Sequence, residues 1–196
     1  MILQAIKNNA FVKKLFPTNF IENWVEEKAN RLLPFLSKKD KILDIGAGNG
    51  MLANSLMKKG FEVQAVDVDN HSIVESVKTI VYDGQTLPFS DRSYDTALLL
   101  LVLHHTNDPV QILKEAARVA PKIIIIEDVY HNVIQKYLTF AMDTLVNLGH
   151  SNMTYQNRSS SEWLLIFKDL ELKLIEKREK RVLFFFKQAT FVLERE

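Results

Sequence analysis

Apolar positions fall in two alternating patterns along this chain. Runs near 41–45, 62–66, 78–82, 94–101 and 122–127 are apolar and of strand length, which predicts β-strands. The run Ile123-Ile124-Ile125-Ile126 has the composition of a strand buried on both faces. Between the strands lie helical patterns. Met51 to Lys59 is closed by Gly60 as a C-cap, and Asp108-Pro109 opens a helix that ends at Val119, ahead of Pro121. Strand and helix in alternation predict a parallel sheet with helices on both faces. Residues 1–38 read as helical, with Phe20, Trp24, Leu32 and Leu33 turned toward the domain. Ser159-Ser160-Ser161-Glu162 is a capping box ahead of a helix carrying Trp163 to Phe167. Two longer strands, about 171–178 and 182–193, close the chain.

One segment breaks this regularity. Residues 131–148 predict a helix that is apolar on nearly every side, through Val133, Ile134, Tyr137, Leu138, Phe140, Leu145 and Leu148. Gly149 is its expected C-cap, and a polar loop runs from His150 to Arg158. Such a helix wants cover beyond its core side, from a substrate, a partner or the N-terminal helix. It follows the fifth strand, beyond the carboxyl ends where open α/β sheets place ligands, so substrate specificity is expected here.

Composition narrows the chemistry. The 196 residues suit one domain, and 47% hydrophobic residues support a full core and exclude wholesale disorder. Lys+Arg 25 against Asp+Glu 24 leaves a net charge of +1, so no global field draws the chain to nucleic acid or a membrane. Cysteine is absent, which excludes disulfides, Cys-ligated zinc, iron–sulfur clusters and thiol nucleophiles. No metal site is expected. The longest unbroken apolar run, Ala97 to Leu103, is far short of a membrane span of roughly 20 residues. The first segment lacks a secretory pattern, and the expected compartment is cytoplasmic.

Six glycines occur, and three of them, Gly46, Gly48 and Gly50, sit in Ile42-Leu43-Asp44-Ile45-Gly46-Ala47-Gly48-Asn49-Gly50. Strand, glycine turn and helix together bring backbone N–H groups and a positive helix end close to a ligand. The turn is G-x-G-x-G, with Met51 in the place of the third dinucleotide glycine. Asp44 stands at the buried end of a strand, where a carboxylate needs a cation or N–H donors. Asp67, at the end of the next strand, lies about 20 residues beyond the glycines, the spacing of an acid that takes ribose hydroxyls. An adenosine with a positively charged tail suits these groups better than a dinucleotide pyrophosphate.

From Lys41 to Asp128 the chain resembles a class I S-adenosylmethionine (SAM)-dependent methyltransferase of the small Rossmann-like, Methyltransferase-11-like type. Asp44 to Gly50 resembles its first motif, with Gly46, Ala47, Gly48 and Asn49 against the methionine end. Asp67 and Val68 match the ribose-binding position, and Asp83-Gly84 the acid that contacts the adenine amino group. Leu87-Pro88-Phe89-Ser90-Asp91-Arg92-Ser93-Tyr94-Asp95 resembles the lead into strand 4, and Leu101 to Pro109 the loop after it. Leu99 and Leu100 occupy positions where the family sets backbone groups against SAM. The resemblance implies a three-layer α/β/α sandwich around a mostly parallel seven-stranded sheet with an antiparallel edge strand. It also implies one domain over 1–196: a lid at 1–38, a SAM-binding core at 41–128, a substrate cap at 129–158, and a closing helix and strands at 159–196.

Methyl transfer from a sulfonium requires the acceptor atom to be held near the methyl carbon in a site cleared of water, with a base where the acceptor carries a proton. His104 and His105 follow Leu103, where the family's loop borders the methyl group, and His105 is the first candidate for a base or acceptor-orienting group. Asp128, Tyr130 and His131, past strand 5, are candidates for the substrate rim; His150 reads as a loop residue and His71 as the start of the second helix. The expected acceptor is a small molecule and the product S-adenosyl-L-homocysteine (SAH). No nucleic-acid partner is expected, because acids interrupt the basic run Lys173 to Arg181. The first 16 residues, with Lys7, Lys13 and Lys14 among apolar positions, suit a lid or a weak membrane-surface contact. Alternative readings are a non-catalytic SAM-binding subunit and an NAD-dependent oxidoreductase.

Overall fold

The computed structural model describes residues 18–131, 135, 137, 157–182 and 186–195, with side chains from Ile21 onward. The first 17 residues and most of the expected 131–148 helix and 150–158 loop lie outside the described residues.

The chain runs α1 (Thr18–Leu32), β1 (Lys41–Ile45), α2 (Met51–Lys58), β2 (Glu62–Asp67), β3 (Thr79–Val81), β4 (Thr96–Leu100), α3 (Pro109–Val119), β5 (Lys122–Val129), α4 (Ser160–Asp169), β6 (Leu172–Val182) and β7 (Phe186–Arg195). The strands form one sheet in the order β3-β2-β1-β4-β5-β7-β6. Pairings from β3 through β5 are parallel, and β7 runs antiparallel to both β5 and β6. The closing pair thus stands at the sheet edge as expected, with β6 outermost and β7 the strand that runs against the rest.

Side-chain alternation along the strands sorts the core into two layers. Ile42, Leu98, Ile124 and Ile126 pack against Ala29 and Leu32 of α1 and Leu56 of α2. Leu43, Leu99, Ile123 and Ile125 pack on the opposite face with Leu113 of α3 and Trp163 and Phe167 of α4. All four isoleucines of β5 are fully buried, as their composition predicts.

Local signals placed the helix ends. Asp108 Oδ1 accepts from Gln111 N at 2.9 Å ahead of Pro109, and Ser159 and Glu162 form the reciprocal capping box of α4. Residues 68–78 contain no helix, which corrects the placement of His71 at a helix start. There Asp69 Oδ1 accepts from Asn70 N (2.7 Å), Asn70 Oδ1 from Ser72 N (3.2 Å) and Ser72 Oγ from Val74 N (3.3 Å). These short polar side chains take the amides a helix would need.

Candidate functional site

The three glycines of the loop between β1 and α2 all have positive φ, 74°, 56° and 75°, but their surroundings differ. A Cβ on Gly46 would stand 2.5 Å from Val102 Cγ2, and one on Gly50 would stand 2.7 Å from Ser72 Oγ. Among the described residues, a Cβ on Gly48 would meet nothing nearer than the Gly46 carbonyl at 4.0 Å. Gly46 and Gly50 are therefore pressed by the protein, whereas Gly48 borders open space. The loop is fastened by Gly46 N and Ala47 N, which donate to Val66 O at 2.8 and 3.2 Å, and by Asn49 Oδ1, which accepts from Met51 N at 3.0 Å.

Two acids flank that space. Asp44, 2% exposed at the end of β1, has no hydrogen-bond partner on Oδ2 among the described residues. Burial, with Asp67 nearby as a second cause, pushes its carboxyl up to about 7. A buried acceptor without a donor costs free energy until a ligand supplies one. Asp67 closes β2, its Oδ2 accepting from Gly48 N at 2.6 Å and its Oδ1 from Val68 N at 2.7 Å. Asp83 lies past β3 and its Oδ1 caps the turn by accepting from Gln85 N and Thr86 N, both at 2.8 Å, which holds its carboxyl below the usual range. Gly84, at φ 78°, sits under Val68, with 3.1 Å from an added Cβ to Val68 Cγ1. The structure thus brings Asp44, the glycine loop and Asp67 together, and sets Val68 against Asp83-Gly84.

Beyond β4 the chain turns sharply. Leu99 is fully buried, and Leu101 adopts φ 57°, a left-handed conformation that costs a non-glycine residue roughly 1–2 kcal/mol. Leu101 N donates to Ile126 O at 2.7 Å, while Val102 N and Leu103 N donate to Glu127 Oε1 at 2.9 and 2.7 Å. His104 Nδ1 lies 2.5 Å from Glu127 Oε2, and the ring is 2% exposed. The His105 ring packs on it, centroids 3.8 Å apart and tilted by 48°. Burial, then the neighbouring His104, pulls His105 down to about 3, so its imidazole is neutral near pH 7.

The expected substrate-rim residues separate between the two faces. Asp128 Oδ1 accepts from Gln188 Nε2 at 2.8 Å on the α1 side, where the Gln188 Oε1 also accepts from Lys28 Nζ at 2.8 Å and Arg31 at 2.9 Å. Tyr130 donates its hydroxyl to Glu162 Oε2 at 2.9 Å, and His131 lies 3.2 Å from Glu179 of β6. Glu127 and Lys28 were not among the residues singled out from the sequence. Glu127 carried a usable signal, an acid ending an apolar strand, the same one that drew notice to Asp44.

Residues 43–122 match a family model described as a methyltransferase domain. Among curated proteins, the tRNA U34 carboxymethyltransferase of Campylobacter fetus subsp. fetus is 34% identical over 100 residues, covering 45% of this chain and 36% of that protein. The ubiquinone biosynthesis O-methyltransferase of Acinetobacter baumannii is 28% identical over 106 residues, covering 47% of this chain and 42% of that protein. This chain therefore matches less than half the length of those relatives. Among solved structures, the magnesium protoporphyrin IX methyltransferase of Synechocystis, determined with bound SAH, superposes with a TM-score of 0.67 at 15% identity, covering 95% of this chain and 89% of that one.

Proposed function

We propose, from the methyltransferase-domain model matched over residues 43–122, that the chain transfers a methyl group from SAM to an O, N or C atom of a small-molecule acceptor. The observation that carries this reading is the Asp44 Oδ2 atom, buried and without a donor among the described residues, beside a glycine whose missing Cβ leaves space that none of them fills. A ligand bearing cationic and N–H groups meets the first need, and only a close-fitting one uses the second.

SAM, when bound, supplies a methyl group already activated by the sulfonium charge. The protein's own residues do the rest. Asp44 and the amides around Gly46, Ala47, Gly48 and Asn49 hold the amino-acid end. Asp67 has acceptor capacity left on both oxygens for a sugar diol. Val68, Asp83 and Gly84 border the base, and the main chain at Leu99 and Leu100 forms the floor. His105 is too weak a base, at about 3, to take a proton efficiently near pH 7. Its neutral ring instead accepts a hydrogen bond from the acceptor and orients it, with His104 behind it. Tyr130 and His131 stand at the rim, while Asp128 belongs with the α1 face.

A small acceptor fits the surface charge better than a nucleic acid does. On β6, Lys177, Arg178 and Lys180 pair with Glu179, Glu176 and Glu27 at 2.8, 2.5 and 2.6 Å, so three of the five cations between Lys173 and Arg181 are compensated by acids beside them. No described helix is long and apolar enough to cross a membrane.

Calorimetry with SAH, SAM and NAD tests the cofactor, and labelled SAM with a metabolite extract or with total tRNA tests the acceptor. Binding of SAH and label in a small product are expected. Binding of NAD alone would overturn the reading, and label found only in tRNA would overturn the acceptor class.

A further inference from the structure

Glu127 fills an anion nest made by the residues after β4. Leu101 is left-handed and Val102 returns to the right-handed region, φ −113° and ψ −46°. That succession turns consecutive amides to one side, the geometry that binds anions. Here the anion is internal. Glu127 Oε1 takes both amides, and its Oε2 faces His104 Nδ1 at 2.5 Å, with Glu127 fully buried.

We propose that Glu127 is a positioning residue of the active site, which fixes His104 with its proton on Nδ1 and so sets the ring against which His105 is held. The purpose of this arrangement rests on the methyl-transfer reading above. A carboxylate offers only acceptors, so the ring nitrogen facing it is the donor, and Nε2 is left as the basic nitrogen of that ring. Holding the loop alone requires one oxygen, and a glutamine would supply it equally well. The second oxygen is what requires an acid. With Gln at 127, Oε1 still serves Val102 and Leu103, but the amide NH2 donates to His104 Nδ1 and the ring proton moves to Nε2. Shape is kept and the tautomer is reversed. Val102 also presses on Gly46, so the same carboxylate ties the acceptor-side loop to the cofactor loop.

The test compares the full chain with its Glu127→Gln variant. Long-range ¹H–¹⁵N spectra of the histidine rings report which nitrogen carries the proton, with His104→Asn assigning the signal. Unsubstituted protein should show Nδ1–H on His104, and Glu127→Gln should show Nε2–H. SAH affinity should stay within about twofold, while label transferred to the metabolite pool should fall about tenfold or more, as expected for a wrong tautomer. Nε2–H in the unsubstituted protein, no change in Glu127→Gln, or undiminished transfer by that variant would each overturn the proposal. Protein that shows the Nδ1–H signal yet binds no SAH would overturn the methyl-transfer reading, and with it the place of Glu127 in an active site.

Discussion

The Asp67 carboxylate reaches back to the Gly48 amide, Oδ2 to N 2.6 Å, and so fastens the middle of the glycine loop to the end of β2. The loop is therefore set before any nucleoside arrives, and one side chain serves both the loop and the proposed diol contact. Asp67→Ala should weaken SAH binding about 10- to 100-fold, the scale of hydrogen bonds to a charged group. Asp67→Asn, which keeps one acceptor, should lose less. Equal affinities by calorimetry would remove Asp67 from the cofactor site.

Gly46 and Gly48 should respond differently to the same added methyl. Both have positive φ, so each alanine variant carries a backbone cost of about 1 kcal/mol. At Gly46 the Cβ also collides with both Cγ atoms of Val102, at 2.5 and 2.8 Å, and the variant should unfold at a clearly lower temperature. At Gly48 the Cβ enters open space, so the variant should fold and yet bind SAH at least tenfold more weakly, with the methyl where the ligand must approach. Normal SAH affinity in folded Gly48→Ala would show that the open space is not the cleft.

What could be read from the chain in advance follows from how local each demand is. β1, β2 and β5 begin at the residues expected, since a strand's apolar run is visible in place. The glycine loop and Asp44 were legible because a tight turn and a buried acid are local conflicts that only special chemistry resolves. Residues 68–78 were not, because Asp69, Asn70 and Ser72 could open a helix or replace one, and the sequence does not say which. Glu127 serves a loop some two dozen residues earlier, and Lys28 meets Gln188, 160 residues further along the chain. Those partnerships exist only once β5 lies between β4 and β7.

Lys28 should tolerate methionine better than alanine. Its ammonium is buried over the Trp24 ring, 4.1 Å from the centroid, with Gln188 Oε1 at 2.8 Å, and burial pulls it down to about 8. Both variants remove the charge that offsets Glu27 and Asp128, but Lys28→Ala also removes the stem packed on Trp24 and should cost about 3 kcal/mol. Lys28→Met keeps the stem, and Gln188 Oε1 retains Arg31 at 2.9 Å, so the loss should be about 1 kcal/mol or less. Urea midpoints at constant slope would measure both, and equal losses would show that packing of the stem contributes little.

Asp44 and His105 should place opposite pH dependences on the stability of the ligand-free protein. The Asp44 carboxyl is raised from 3.8 to about 7, so the folded state holds its proton more tightly than the unfolded chain does. Its contribution is complete below about pH 4 and is lost as pH rises toward 7. His105 is lowered from 6.5 to about 3, so its contribution is present above 6.5 and is lost as pH falls toward 3. Between about pH 4 and 6.5 the two largely cancel, and the melting temperature of the unsubstituted protein should vary little there. Asp44→Asn should unmask the histidine, with stability rising with pH across that window. His105→Asn should unmask the carboxylate, with stability falling across it. A cationic ligand that prefers ionised Asp44 must also displace its proton below pH 7, so SAM affinity should rise with pH up to about 7 and then level. Calorimetry in buffers of different ionisation enthalpy would detect that proton, and its absence at pH 6 would show that Asp44 does not face the ligand's charge.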